Sequence, residues 1–236
     1  MYNLMTKLDI PPEFPSVSPL ETDVRRYFLE KAKKQPKRER TRALILDAIV
    51  ETIARHGLDG TTIREIVETA SVSHGTFYNH FENRDDAIRV AAMSVAHEIV
   101  ATISDTIKRL DVADEAIVAA TYSFMAAAIK RPSWAKTLAA TVVMLDATID
   151  PSSAKLEQLI AQGYSSGIFR VPVTPLLSLQ VRAIQALAIS KAEASSNAAL
   201  SQTCEAILRL LGRTPAEAEA AVKTTLGRFV SQPILW

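Results

Sequence analysis

Between Ser73 and His80 the chain reads Ser-His-Gly-Thr-Phe-Tyr-Asn-His, which sets hydroxyl, imidazole, phenol and carboxamide groups within about two helical turns. These groups suit recognition rather than bond breaking. An asparagine can make a paired contact with adenine, hydroxyls and phenols donate to phosphate oxygens, and a glycine lets backbone N–H groups approach an anion closely. No Ser-His-Asp order and no phosphate-binding glycine loop accompanies the run, and His56, His74, His80 and His97 lack the spacing of metal ligands. Cys204 stands alone, able neither to close an internal disulfide nor to build a metal site. The sequence is therefore expected to be no enzyme and to need no metal or other cofactor.

Such a run works only if helices hold it at a surface. Seven glycines fall mostly at the edges of apolar-periodic segments, and no stretch alternates with period two, so the fold is expected to be all-α. Leu44, Ile45, Ala48, Ile49, Thr52 and Ile53 form one stripe of a first helix from Arg38 to His56, with Gly57 as its stop. Thr62 and Glu65 have capping-box spacing before a short second helix, Ile63 to Thr69. Ser71-Val72-Ser73 turns the chain, and Ser73 caps a third short helix running through about His80. Asn83 caps a fourth that continues past Ile103. Phe77 and Phe81, four residues apart, are expected to pack inward on Ile49, Ile66 and Ile88, which turns Tyr78 outward toward a phosphate. His74, Thr76 and Asn79 are the candidate base readers. His80 either reaches a phosphate or finishes its helix on a carbonyl. From Arg25 to Arg42 nine basic residues face two acidic ones, a local +7 in a chain whose net charge is only +1. Arg38, Arg40 and Arg42 therefore either follow a phosphate backbone, reach a minor groove or form a solvated face.

The segment from Thr62 to Ile88 resembles the DNA-binding domain of the TetR family. Gly57-Leu58, Thr61-Thr62-Ile63, the run from Ala70 to Phe81 and Ala87-Ile88 fall on the family pattern, and Leu211 to Ala218 carries a weaker likeness. Ser71 stands where a turn glycine is usual, and Arg84-Asp85 where Lys-Glu is common. The resemblance implies a helix-turn-helix that binds operator DNA through Ser73, His74, Gly75, Thr76, Tyr78 and Asn79, with phosphate contacts from Thr62 and Arg84. It also implies a C-terminal domain in which the last two long helices pair with their symmetry mates.

The expected organisation is a flexible, basic extension over residues 1–36, its second half holding a short helix from about Glu21 to Lys34 that stops before Pro36, then a three-helix helix-turn-helix domain over 37–84, and a helical ligand-binding and dimerisation domain over 85–236. Long Ala-rich helices are expected at Ala113 to Lys130, Ser133 to Ala147, Ser152 to Ser165, Pro175 to Ser195, Asn197 to Leu211 and Pro215 to Leu226. Tyr122, Phe124, Met125, Trp134, Met144 and Tyr164, with Gln180 and Gln185, are either the lining of a small-molecule pocket or plain core. One small reading head contacts few base pairs, so a homodimer is expected, and the stretch Val181 to Leu211, with Ala183, Ala186, Ala188, Ala192, Ala194 and Ala198, suits close helix pairing. No apolar run reaches the about 20 residues of a membrane span, and Met1 to Leu20 lacks the pattern of a signal peptide. These features point to a cytoplasmic repressor released from its operator by a small apolar effector. The alternative is a C-terminal domain that recruits a protein partner.

Overall fold

The computed structural model describes residues 26–107, 110, 112–142, 151–190 and 197–231, and every regular element among them is a helix. The amino-terminal unit consists of α1 (Tyr27–Lys31), α2 (Lys37–Gly60), α3 (Ile63–Ala70) and α4 (His74–Tyr78). A long helix, α5 (Arg84–Ile107), leads from it into α6 (Ala113–Ile129), α7 (Pro132–Thr141), α8 (Pro151–Ser165), α9 (Pro175–Ser190), α10 (Asn197–Leu210) and α11 (Pro215–Ser231). Proline opens α7, α8, α9 and α11, at first-turn positions where a missing N–H leaves no helical bond unmade.

Local signals set the first unit. Gly57 takes φ 70, a left-handed value that interrupts α2, and the chain then closes one further turn before Thr61. The Thr62 side chain accepts from the Glu65 N–H at 3.2 Å, but the Thr62 N–H goes to the Gly60 carbonyl, so only half of the expected capping box forms. Ser71 ends α3 at φ 54, ψ 44, and the Val72 N–H returns to the Val67 carbonyl at 3.0 Å. This is a Schellman closure made without glycine. Ile45, Ile49, Ile66, Phe77 and Ile88 are fully buried and close the core of the unit, as the spacing of the apolar residues predicts.

α2 is buried on more than the one stripe expected of it, because its most extensive interface is with α7 and α1 covers another flank. The short helix expected within Glu21 to Lys34 is present in part, as α1. Residues 27–31 form a helix, Phe28 is buried, and the Asp47 carboxylate accepts the Phe28 and Leu29 N–H groups, both at 2.9 Å. A five-residue helix is too short to persist unaided, so these contacts are what hold it. Residues 1–25 lie outside the described residues.

The larger unit packs α6 against α5, α8, α9, α10 and α11. The Leu211 to Ala218 segment forms the corner between α10 and α11. Thr214 and Glu217 cap each other's N–H groups at 2.7 and 3.3 Å, and Arg170 grips the Glu217 carboxylate at 2.9 Å through each of two nitrogens. On α9, Leu176 and Leu187 are each 64% exposed and flank exposed Gln180 and half-buried Ile184 along one face. Ala186 points into the chain rather than along that face, because Val181, Gln185 and Ile189 on the same side are buried too. Ala192 and Ala194 lie outside the described residues. No helix among the described residues is long and apolar enough to cross a membrane.

Candidate nucleic-acid interface

The outward surface of α4 is held from behind by two phenylalanines. Phe77 is fully buried and Phe81 nearly so, their rings 5.6 Å apart, while the next residue along, Tyr78, is 55% exposed with its ring edge-on to Phe77 at 5.4 Å. Burying a phenylalanine side chain contributes about 3 kcal/mol, enough to fix the rotation of so short a helix. Ser73, His74, Gly75 and Asn79 are exposed along with Tyr78. Ser73 caps α4 by accepting the Thr76 N–H at 3.1 Å. Its hydroxyl also lies 2.9 Å from that of Thr76, so the Thr76 side chain is half-buried and already engaged, the least available of the expected base readers. A Cβ added at Gly75 would meet only the Ser73 Oγ, at 3.8 Å. A Cβ there would make only ordinary van der Waals contact within the chain.

Two cations, Arg38 and Arg42, lie beside α4. The Arg42 guanidinium sits over the Phe81 ring at 5.3 Å, and burial, then Arg38 and Arg42, pull the His80 imidazole below its ordinary value. His80 is therefore neutral at pH 7, with Arg38 and Arg42 supplying the charge near it. Arg38 is exposed, and Arg40 turns back to the Gln35 carbonyl at 2.8 Å. Thr62 is exposed at the start of α3, with its hydroxyl spent on the cap.

Arg84, expected at a phosphate, has its guanidinium on the carbonyls of Thr61 and Leu58 and on the Asp85 carboxylate. Leu58 belongs to the last turn of α2, where its carbonyl also accepts the Thr61 N–H at 3.2 Å, and Thr61 follows the helix, so the arginine ties both to the start of α5. It thereby positions the start of α3.

The expected effector-pocket residues divide. Tyr122 and Met125 on α6 and Gln185 on α9 are buried together, Gln185 donating to the Thr121 hydroxyl at 3.3 Å, and Phe124 is half-buried. Burial pushes the Tyr122 phenol up, beyond the range in which it ionises in water. Trp134 takes the second of its two expected roles, packing in the core, where its ring meets Phe28, Tyr27 and Arg131 at the junction with α1. Tyr164 at 47% exposure and exposed Gln180 are corrected, since the helix faces that carry them point to solvent. Met144 lies outside the described residues. A cleft of about 320 Å³ lies between α1 and α2, lined by Phe28, Lys31, Gln35, Glu39, Arg42 and Leu46. Sequence reasoning missed Asp47, whose signal was a lone carboxylate inside the apolar run Ala43 to Val50.

Residues 45–89 match the family described as bacterial regulatory proteins, tetR family. No curated protein matches the chain. Among solved structures the fold is similar to RolR in complex with resorcinol, with TM-score 0.60 and 22% identity over 79% of this chain and 94% of that one. It is similar to the fatty acid degradation regulator FadR from Bacillus halodurans, with TM-score 0.56 and 19% identity over 73% and 95%. It is also similar to an ArpA-like gamma-butyrolactone receptor, with TM-score 0.56 and 16% identity over 84% and 100%. At these identities the likeness concerns the fold.

Proposed function

We propose that this chain, whose residues 45–89 match the tetR family of bacterial regulatory proteins, is a homodimeric DNA-binding repressor that reads its operator with α4 and releases it when a small apolar molecule enters the C-terminal domain. The observation that carries the DNA half is the facing of α4. Ser73, His74, Gly75, Tyr78 and Asn79 are outward while Phe77 and Phe81 anchor the helix from within. In this reading the α4 amino end, with its unpaired N–H groups, enters a major groove. His74 and Asn79 contact base edges, Tyr78 donates to a phosphate, and Arg38, Arg42 and His80 follow the adjoining backbone.

The effector half is supported by the buried hydroxyl and carboxamide groups of the C-terminal domain, and by relatives of the same fold crystallised with resorcinol or described as a butyrolactone receptor. The exposed Leu176 and Leu187 support pairing of two copies through α9 and α10, which places two reading heads about 34 Å or more apart on one face of the duplex. Effector binding is proposed to shift α5, which runs without a break from the reading unit into the larger domain, and so to change that spacing.

The test is selection of bound fragments from random duplex DNA, followed by footprinting at two salt concentrations. The expected result is a two-fold symmetric site whose affinity falls steeply with salt. Recovery of no enriched sequence would overturn the reading.

A further inference from the structure

We propose that α1 and the turn after it form an intramolecular strap that locks the DNA-reading unit to the C-terminal domain, seated by Tyr27 and Phe28 where α2, α5 and α7 meet. The inference rests on the preceding reading only for its effect on operator affinity. Its seat stands on geometry alone.

The strap touches one element after another with a different kind of contact. To α2 it is bound by the buried Asp47 carboxylate, which takes the first free N–H groups of α1. To α5 it is bound by the Tyr27 hydroxyl, which donates to Glu98 at 2.9 Å, and by the Lys31 ammonium on the same carboxylate at 2.5 Å. To α7 it is bound by rings: Phe28 stacks on Trp134 with centroids 6.2 Å apart and planes at 13°, and Tyr27 meets Trp134 edge-on at 5.0 Å. The Arg131 guanidinium covers both Tyr27, at 4.5 Å, and Trp134, at 4.2 Å.

Asp47 shows what the arrangement is for. Its neighbours Ala43, Ile45, Leu46, Ala48, Ile49 and Val50 are all buried and apolar, and burying a carboxylate among them is costly. Both of its oxygens are spent on α1, which gives the acid a use that packing of α2 alone does not. Lys136 of α7 adds a further tie by donating to the Ala54 carbonyl near the end of α2, at 3.1 Å. Since α7 packs on α2, α2 on α3 and α3 on α4, a displacement of α7 reaches α4 through that chain of contacts. The strap keeps that path stiff and presets the orientation of each head in a dimer.

The consequence separates two affinities. A full operator is bound by two heads whose spacing must match, whereas a half-operator engages one head and is indifferent to its orientation. The test compares the parent with Tyr27→Ala/Phe28→Ala in the full chain, on the selected full operator and on a half-operator duplex, at a temperature where circular dichroism shows both proteins folded. Full-operator affinity is expected to fall about tenfold with half-operator affinity unchanged. Loss of both together, or of neither, overturns the proposal. Tyr27→Phe, which deletes only the hydroxyl bond to Glu98, keeps the test open if the double variant does not fold, and is expected to lose about threefold on the full operator alone. If the parent binds no duplex, the regulator reading fails by itself, and the strap is judged by acrylamide quenching of Trp134 in a Trp236→Phe background. Quenching is expected to at least double in the double variant, and equal quenching overturns the strap.

Discussion

The two halves of this chain place their polar side chains in opposite ways. Around α4 the polar groups Ser73, His74, Tyr78 and Asn79 stand outside, and the core behind them of Ile45, Ile49, Ile66, Phe77 and Ile88 is apolar. In the C-terminal domain Thr121, Ser123, Thr137, Thr141, Ser178 and Gln185 are buried. Thr137 and Thr141 satisfy themselves on the carbonyls one turn back, at 2.8 and 2.7 Å, bonds that a hydroxyl can exchange for a ligand at little cost. Asp47, Thr52 and Thr61 are buried in the first half as well, but the side chains directly behind α4 are apolar, whereas the C-terminal interior mixes hydroxyls and a carboxamide that have alternative partners. The proposed function puts reading on the outer surface of one half and sensing in the interior of the other.

The contrast can be broken most forcefully at Phe77. Phe77→Ala should cost about 4 kcal/mol and unfold the reading head ahead of the C-terminal domain, so that calorimetry resolves two transitions where the parent gives one. Arg84→Ala removes the clamp on the Leu58 and Thr61 carbonyls and should cost about 2 kcal/mol, read as a lowered midpoint in urea. The Asp47 carboxyl tests the one acid buried in α2. Burial pushes it up to about 6 from an ordinary 3.8, against the pull of the Phe28 and Leu29 N–H groups. The folded chain thus holds this proton more tightly than the unfolded chain. The resulting stability is full below the ordinary value and is lost as pH rises through about 6. Relative to the parent, Asp47→Asn should therefore gain on the order of 2 kcal/mol between pH 4 and 7, measured by urea unfolding across that range. The smallest effect belongs to Ser71. Its left-handed backbone costs an L-residue about 1 kcal/mol, so Ser71→Gly should raise stability by about that amount and leave DNA binding unaltered.

The same contrast explains what was legible in the sequence. Thr62, Ser73 and Asn83 announce helix starts because a cap acts within three residues, and the four-residue spacing of Phe77 and Phe81 gives the inner face of α4, hence the exposure of Tyr78 and Asn79. Arg84 and Asp47 were not legible, because their partners lie 18 to 26 residues away and depend on how separate helices meet. Trp134 carries the composition of a pocket residue, but the ring that covers it comes from Phe28, in a short expected helix whose packing partner nothing local in the sequence names. Gln180 and Tyr164 show the limit of composition in the C-terminal domain. It names the residue types present but not the face of the helix on which each one falls.

The central claim is that the exposed residues of α4 hold DNA while its phenylalanines hold α4. The most direct measurement is the affinity of the full chain for its selected duplex before and after Tyr78→Ala/Asn79→Ala, two exposed positions whose loss leaves the core intact. Loss of a base contact and a phosphate contact together is expected to weaken binding by about 30-fold or more, with the thermal midpoint unchanged. A folded double variant that binds as tightly as the parent would contradict the account.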